Sequence, residues 1–538
     1  MQESHRLAWR RLLLNIADQS ETEGGDKIKG GSDEKRDSEE LCSKRGDGSA
    51  DCHYEKIDIR VFSAGGKTRG GMFMQRRWTR LVLSCVSIVL VLSVFGCAHY
   101  PVNQPLAQVD PGSGYRGRFW HDEKKSDDIF LFLAFSGGGT RAAALSYGLL
   151  ESLRDTEVTL NGKKTRLLDQ VDGISGVSGG SFTAAYYGLF GDRIFEDFES
   201  KFLKKNIQGT LTARMFLNPY NWVRLLSPTV GRSDLAAEYY DTHIFEGKTF
   251  GDIAARKGPM ILVNATDMVT GIRLAFNQDS FDVICTDVAK FPVARAVAAS
   301  SAVPVVLTPI TLKNYAGSCG FTLPPRIQKI LDEQETGTRA YHHVNNMRPY
   351  LDGKETPYIH LVDGGVSDNL GLRAVLDRMY LYGDFWSALK AFKIENTRKV
   401  VFILVNAETE LKRDVSLFDK MPGFGFMLAS YSSIAITRYN FETVMLLRDS
   451  FERWTREVQE GRCSGGQIST EPGGCGDIKF YLIEVKFDAL KDEKEREYYK
   501  SLPTSFHLSD EEVDKLRQKA SEILRSSPEF QELMRDLK

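Results

Sequence analysis

The distribution of polar and apolar positions divides the chain before any residue is considered for chemistry. From Glu21 to Gly71, Gly, Ser, Asp, Glu, Lys and Arg dominate and large apolar side chains are sparse. Such a stretch cannot bury a core and reads as disordered. The pattern then inverts. Leu81 to Gly96 is a single apolar run, preceded by Arg76, Arg77 and Arg80 and closed by Cys97. Pro101 to Lys125 is polar again and reads as a tether. From Asp128 the pattern is globular. IFLFLAF is a continuous apolar run, the signature of a strand buried on both faces. Arg141 to Leu153 carries apolar residues at helical spacing. LLDQVDGI reads as a second strand, followed by a glycine-rich turn and a helix over SFTAAYYGLF. PMILVNATDM and KVVFILVNA, the latter from Lys399, read as further strands. Strands alternating with helices predict an α/β protein with a mostly parallel sheet.

Other stretches are read by the same patterns. Lys313 to Glu355 is polar and looks inserted, with Asp352-Gly353 in YLDGKETPY as a hairpin turn. Ser509 and Glu512 form an S-x-x-E capping box opening a charged amphipathic helix toward Leu524. The apolar runs Phe216 to Pro228 and Phe424 to Ile436 read as core rather than as a surface for lipid. No internal repeat is visible. Residues 128–538 read as one large domain with a C-terminal helical extension, 98–127 as the tether, and 72–97 as a targeting segment. Residues 1–71 read as an extension or a misassigned start, set aside from fold reasoning.

Basic, then apolar, then small-residue-Cys is the layout of a secretory signal. The apolar run is short for a membrane span, which needs about 20 residues. VFGC resembles a bacterial lipobox, with Phe95 departing from its usual small side chain. On that reading Cys97 is lipidated and becomes the mature N-terminus, and Ala98 behind it points to the outer membrane of the bacterial cell envelope, facing the periplasm. The alternative is an uncleaved anchor. An exported chain permits disulfides. Cys463 and Cys475 flank a glycine-rich loop and form a plausible pair; Cys285 with Cys319 has less local support. No C-x-x-C spacing suggests zinc. A net charge of −2 gives no global field for nucleic acid.

The chemistry concentrates at glycine-rich junctions. Gly176-Val177-Ser178-Gly179-Gly180 is G-x-S-x-G between a strand and a helix, the context of a nucleophile elbow, where the flanking glycines Gly176 and Gly180 give the turn room. Ser178 would project at a helix N-terminus. Upstream, FSGGGTRAA joins the first strand to the first helix. A phosphate-binding loop is poorly supported, because the Lys and Ser/Thr of G-x-x-x-x-G-K-[ST] are missing and Ala142 replaces the third Gly of G-x-G-x-x-G. Read with Ser178, the N–H groups of Gly137, Gly138 and Gly139 would instead hold an oxyanion, with Arg141 orienting the loop or adding positive charge. The histidines after Ser178 are His243, His342, His343, His360 and His507, and none lies in a glycine-framed loop. Asp363, in HLVDGGVSDNLGL, does. A carboxylate there would take the Ser178 proton directly. Asp368 and Asn369 read as caps of the next helix. From the residues alone this is a serine hydrolase whose base is open.

Taken in order, these pieces resemble the patatin-like phospholipase family. Gly137-Gly138-Gly139-Thr140-Arg141 is similar to its G-G-G-x-R oxyanion loop, Gly176 to Gly180 to its G-x-S-x-G, and Asp363-Gly364-Gly365 to its D-G-[GA]. NATDMVTG from Asn264 and ARAVAASSAVPVV from Ala294 look similar too. Ser136 and Ala142 depart from the family pattern and leave loop detail open. The resemblance spans about residues 128 to 375. It implies a three-layer α/β/α fold, a Ser178–Asp363 dyad with no His, no metal and no other cofactor, and hydrolysis of a phospholipid or other acyl-lipid ester through an acyl-enzyme. The rivals are an esterase or thioesterase on small acyl substrates, and a lipid-anchored binding or assembly protein without turnover.

Overall fold

A computed structural model describes residues 98–117 and 125–537 apart from positions 161, 305, 411, 412, 418, 420 and 465. The apolar run, the lipobox and Cys97 lie outside the described residues. At the centre is an eight-stranded sheet. Its strands are β1 (Ile129–Phe135), β4 (Val171–Val177), β5 (Met260–Asp267), β6 (Arg273–Ala275), β7 (Ile310–Lys313), β8 (Tyr358–Asp363), β9 (Lys399–Asn406) and β10 (Lys479–Lys486), while β2 (Glu157–Leu160) and β3 (Lys163–Arg166) make a separate hairpin. The order is β10-β9-β1-β4-β5-β8-β7, with β6 paired to β5. From β10 to β5 all pairs are parallel; β8, β7 and β6 run antiparallel to their neighbours. The sheet is thus mixed, parallel through its middle.

The alternation in IFLFLAF explains the layering. Leu131, Leu133 and Phe135 pack on one side, with the helices α1 (Gly139–Arg154) and α2 (Gly179–Phe190). Phe132 and Ala134 face the other side, where Phe402, Leu404 and Trp454 form a second core. A strand covered on both faces has no polar side to show, which is why its sequence is a continuous apolar run. The three layers of an α/β/α fold follow.

The remaining helices used below are α3 (Ile207–Phe216), α4 (Pro219–Leu225), α5 (Arg232–Tyr240), α6 (Val293–Ser300), α7 (Gly365–Asp368), α8 (Arg373–Tyr382), α9 (Phe424–Cys463) and α10 (Asp510–Ser526). The Ser509–Glu512 capping box opens α10. This helix lies directly on α1: a Cβ at Gly148 would stand 2.3 Å from the Arg517 carbonyl oxygen, and Arg517 makes a bidentate ion pair with Glu151. Both cysteine pairs are joined, Cys285 to Cys319 and Cys463 to Cys475.

Three expectations are corrected. Residues 98–117 are no free tether: Asn103 is buried and hydrogen-bonded to Thr286 and Lys313, and Arg116 pairs with Asp279 and Asp282. The run from Phe216 is not core, and neither are Met427, Tyr431 and Ile434 of the second run. Asp352 does close a turn, accepting from the Lys354 N–H. That turn lies near the end of the long connection between the antiparallel neighbours β7 and β8 and is not a tight hairpin between them.

Candidate active site

The register brings the motifs together. Phe135 pairs with Gly176, Val177 with Asn264, and Ala265 with Asp363. Ser178, one residue past β4, and Asp363, the last residue of β8, are therefore separated only by β5. Because β8 runs antiparallel, Asp363 arrives from the opposite direction to Ser178.

Ser178 adopts φ 47°, ψ −119°. A non-glycine residue there stores about 1–3 kcal/mol of strain and persists only where its surroundings enforce it. The surroundings here are glycines. A Cβ at Gly179 would stand 2.0 Å from the Gly139 carbonyl oxygen, and one at Gly180 2.7 Å from the Phe135 Cβ. At Gly176 it would stand 2.7 Å from the Ser181 Cα. The same close approach sets the upstream loop against the serine, since a Cβ at Gly137 would lie 3.4 Å from the Ser178 Cβ.

The Ser178 side chain stands close enough to the Asp363 carboxylate to lower its pKa. The Gly365 N–H donates to the same carboxylate at 2.8 Å. Burial is the larger effect and pushes the Asp363 carboxyl up to about 6, against the Gly365 N–H bond and the nearby Ser178 side chain, which pull it down. Only 4% of Ser178 and 8% of Asp363 is exposed, so charge in this pair is poorly solvated. One segment positions both residues. The Ser300 Oγ accepts from the Ser178 N–H at 2.9 Å, while the carbonyls of Ala302 and Ser300 accept from the N–H groups of Asp363 and Gly364. NATDMVTG contributes similarly, with the Asn264 side chain donating to the Ser175 Oγ and the Gly176 carbonyl.

The oxyanion loop differs from expectation in two ways. The Gly137 N–H already donates to the Asn369 carbonyl at 2.9 Å, so it is not a free donor. Arg141 turns away from Ser178: its guanidinium donates to the carbonyls of Ala407 and Leu502 and to the Thr504 hydroxyl. Burial lowers it to about 9, which still leaves it cationic at neutral pH. Among the described residues, the N–H groups of Gly138 and Gly139 have no hydrogen-bond acceptor. Gly179, the first residue of α2, has no acceptor within its own helix.

No histidine partners Ser178 among the described residues. His360 meets Thr311, His243 stacks on Tyr239, and His507 is exposed. No group of three His, Cys, Asp or Glu stands close enough to hold a metal ion among the described residues. An apolar cavity of about 770 Å³ opens on the α8 side of the sheet, past Phe132, Leu262 and Met379, and is not lined by Ser178 or Asp363. Sequence reasoning missed Ser300, Gly179 and the role of Asn369. For Ser300 the signal was present in the quoted ASSAVP; for Asn369 the adjacent glycine-flanked DN was read only as a cap. The Asp368 carboxylate does accept from the Arg373 N–H at the start of α8.

A strained serine at a strand–helix turn, a buried carboxylate beside it and N–H donors without acceptors nearby make this the candidate active site of the α/β/α scaffold. Residues 133–376 match the family model of the patatin-like phospholipases, and the chain carries a patatin-like phospholipase domain over that range. No curated protein matches the chain. Among solved structures it is similar to human GIVD cytosolic phospholipase A2, at 12% identity and a TM-score of 0.37, over 76% of this chain and 60% of that one. The same human protein in complex with methyl gamma-linolenyl fluorophosphonate is similar at 13% identity and a TM-score of 0.37, over 78% and 61%. The chain thus spans about 60% of the length of those structures.

Proposed function

We propose that the protein is a lipid acyl hydrolase of the phospholipase A type, working through a Ser178–Asp363 dyad. The carrying observation is the strained Ser178 placed by the sheet register beside a buried carboxylate whose pKa is raised to about 6. A carboxylate near that value is ionised at neutral pH yet basic enough to accept a proton as the bond forms. Ser178 Oγ attacks the ester carbonyl carbon and its proton passes to Asp363. The N–H groups of Gly138, Gly139 and Gly179 take the oxyanion. The intermediate collapses to an acyl-serine, and the departing alcohol takes the proton from Asp363. Water then attacks the acyl carbon, Asp363 accepts its proton, and the C–Oγ bond breaks as Asp363 returns that proton to Ser178 Oγ, releasing the carboxylic acid. The patatin-like domain supports an acyl-lipid ester as substrate.

The same reading places the protein on a membrane, through a lipidated Cys97 in a bacterial envelope, with the outer membrane facing the periplasm as its site. The two disulfides fit an oxidising compartment. The test is release of fatty acid from phospholipid vesicles by the full chain, compared with Ser178→Ala. Release by wild type alone supports the hydrolase. Turnover restricted to short-chain soluble esters would favour the esterase, and no turnover of either would favour a binding protein.

A further inference from the structure

The apolar run from Phe216 is a built surface rather than a loose loop. Helices α3 and α4 form a short hairpin. Asn218 caps α4 by accepting from the Tyr220 N–H, the Asn221 side chain donates back to the Arg214 carbonyl, and the Trp222 indole N–H donates to the Phe216 carbonyl. These three hydrogen bonds tie the helix pair together, and while Leu211 and Met215 are buried, a second set of large apolar side chains stays outside. Phe216, Leu217, Tyr220, Trp222 and Leu226 are between 51% and 79% exposed. A contiguous exposed patch of large apolar and aromatic residues marks an interaction site, and Trp and Tyr beside Leu and Phe is the composition of a membrane–water interface.

What covers it is indicated by the N-terminal segment. The Ala98 carbonyl accepts from Ser227 Oγ at 2.7 Å and from Thr229 Oγ1 at 3.0 Å, immediately after Leu226. Residues 98–117 are docked, so no slack follows Ala98. Ala98, the first described residue, is thus fixed at the edge of the patch. The apolar run Leu81–Gly96 precedes it. In the proposed attachment, acyl chains on residue 97 and an uncleaved anchor ending there both bring the bilayer next to Ala98. The patch is also joined to the catalytic edge. Ser233 at the start of α5 donates to the Thr308 carbonyl, and Thr308 belongs to the loop leaving α6, whose Ser300 holds Ser178. Val306 in that loop, Met268 and Val269 after β5, and Val366 beside the Asp363 turn are all exposed.

We infer that the α3–α4 hairpin is the face by which this protein lies on a phospholipid bilayer, with Phe216, Leu217, Tyr220, Trp222 and Leu226 inserted at the headgroup level beside the anchor. The inference rests on the proposed membrane attachment at residue 97 and turns it into an orientation, with the rim of the Ser178 site facing the same membrane. The experiment uses the full chain in vesicles of phosphatidylethanolamine and phosphatidylglycerol, with or without brominated phosphatidylcholine as a contact quencher. The difference between wild-type and Trp222→Phe emission isolates Trp222 from the other tryptophans. That difference signal is expected to fall by about half or more in brominated vesicles, as for an indole within acyl-chain contact. Unchanged Trp222 emission overturns the inference, as does protection of Trp222 only through a dimer that Leu217→Ser/Leu226→Ser dissolves. Mass analysis of the N-terminal peptide reads the anchor independently. Quenching with an unmodified Cys97 keeps the surface and removes the lipidation, and a lipidated Cys97 without quenching removes the surface. Trp222 emission needs no turnover, so an inactive hydrolase leaves this test intact.

Discussion

At the scale of single residues, Asp363 is the group on which catalysis and stability pull in opposite directions. Burial raises its carboxyl to about 6, above the ordinary value near 3.9. Between about pH 4 and 6 the native state holds a proton that the unfolded chain has released. Its contribution to stability is therefore full below about pH 4 and is lost as pH rises through 6. Catalysis needs the ionised form, so kcat/KM should climb with pH through an apparent pKa of about 6. Asp363→Asn should lower kcat by about 10³-fold or more, while raising stability at pH 7.5 by about 1–3 kcal/mol. Thermal melts at pH 4.5 and 7.5 check the sign: the gain should shrink at the lower pH. A variant less stable at pH 7.5 would mean that the ionised carboxylate is well compensated. This residue was legible in the sequence, because a strand end followed by two glycines is a local pattern. Its raised pKa was not, because burial is set by chain segments far away.

At the scale of elements, the glycine loop and its partners decide how the donors are held. Gly139 has φ 59°, and a Cβ there would stand 2.3 Å from the Ser505 carbonyl oxygen. Both the backbone angle and the space reject a side chain. Gly139→Ala should cost about 1–3 kcal/mol of stability and lower kcat by about tenfold or more with a smaller change in KM, since the loop's donors act in the transition state. Steady-state kinetics on a soluble ester, with denaturant melts, separate the two effects. The loop motif itself could be read from sequence, as could the strands and the Ser178 elbow. The use of each N–H could not. Gly137 is taken by Asn369, and Arg141 by Leu502 and Thr504, residues 361 and 363 positions away. Such pairings depend on tertiary closure, to which hydrophobic period and turn chemistry are blind. The antiparallel direction of β8 escaped for the same reason: a lone buried strand carries no mark of its direction.

At the scale of the molecule, the chain after residue 376 completes what the patatin-like domain begins. β9 and β10 extend the sheet beyond β1, and the segment around Ser505 holds the glycine loop through the Thr140 N–H. The two disulfides differ in what they constrain. Cys285–Cys319 spans a sequence separation of 34 and Cys463–Cys475 one of 12, which by loop entropy gives about 4 and about 3 kcal/mol. Cys285→Ser/Cys319→Ser should therefore lower the melting temperature more than Cys463→Ser/Cys475→Ser, as differential scanning calorimetry would read. The reverse order would mean that contacts around the shorter loop dominate. The exposed run from Phe216 shows where composition misleads at this scale: five large apolar residues look like core until the fold leaves them outside.

The most direct measurement is fluorophosphonate labelling of the full chain with peptide mapping, on wild type, Ser178→Ala, Asp363→Asn and His507→Ala. A His-free serine hydrolase predicts an adduct on Ser178 that is absent in Ser178→Ala, strongly reduced in Asp363→Asn and retained in His507→Ala. An adduct on another serine, or undiminished labelling without Asp363, would contradict the Ser178–Asp363 dyad.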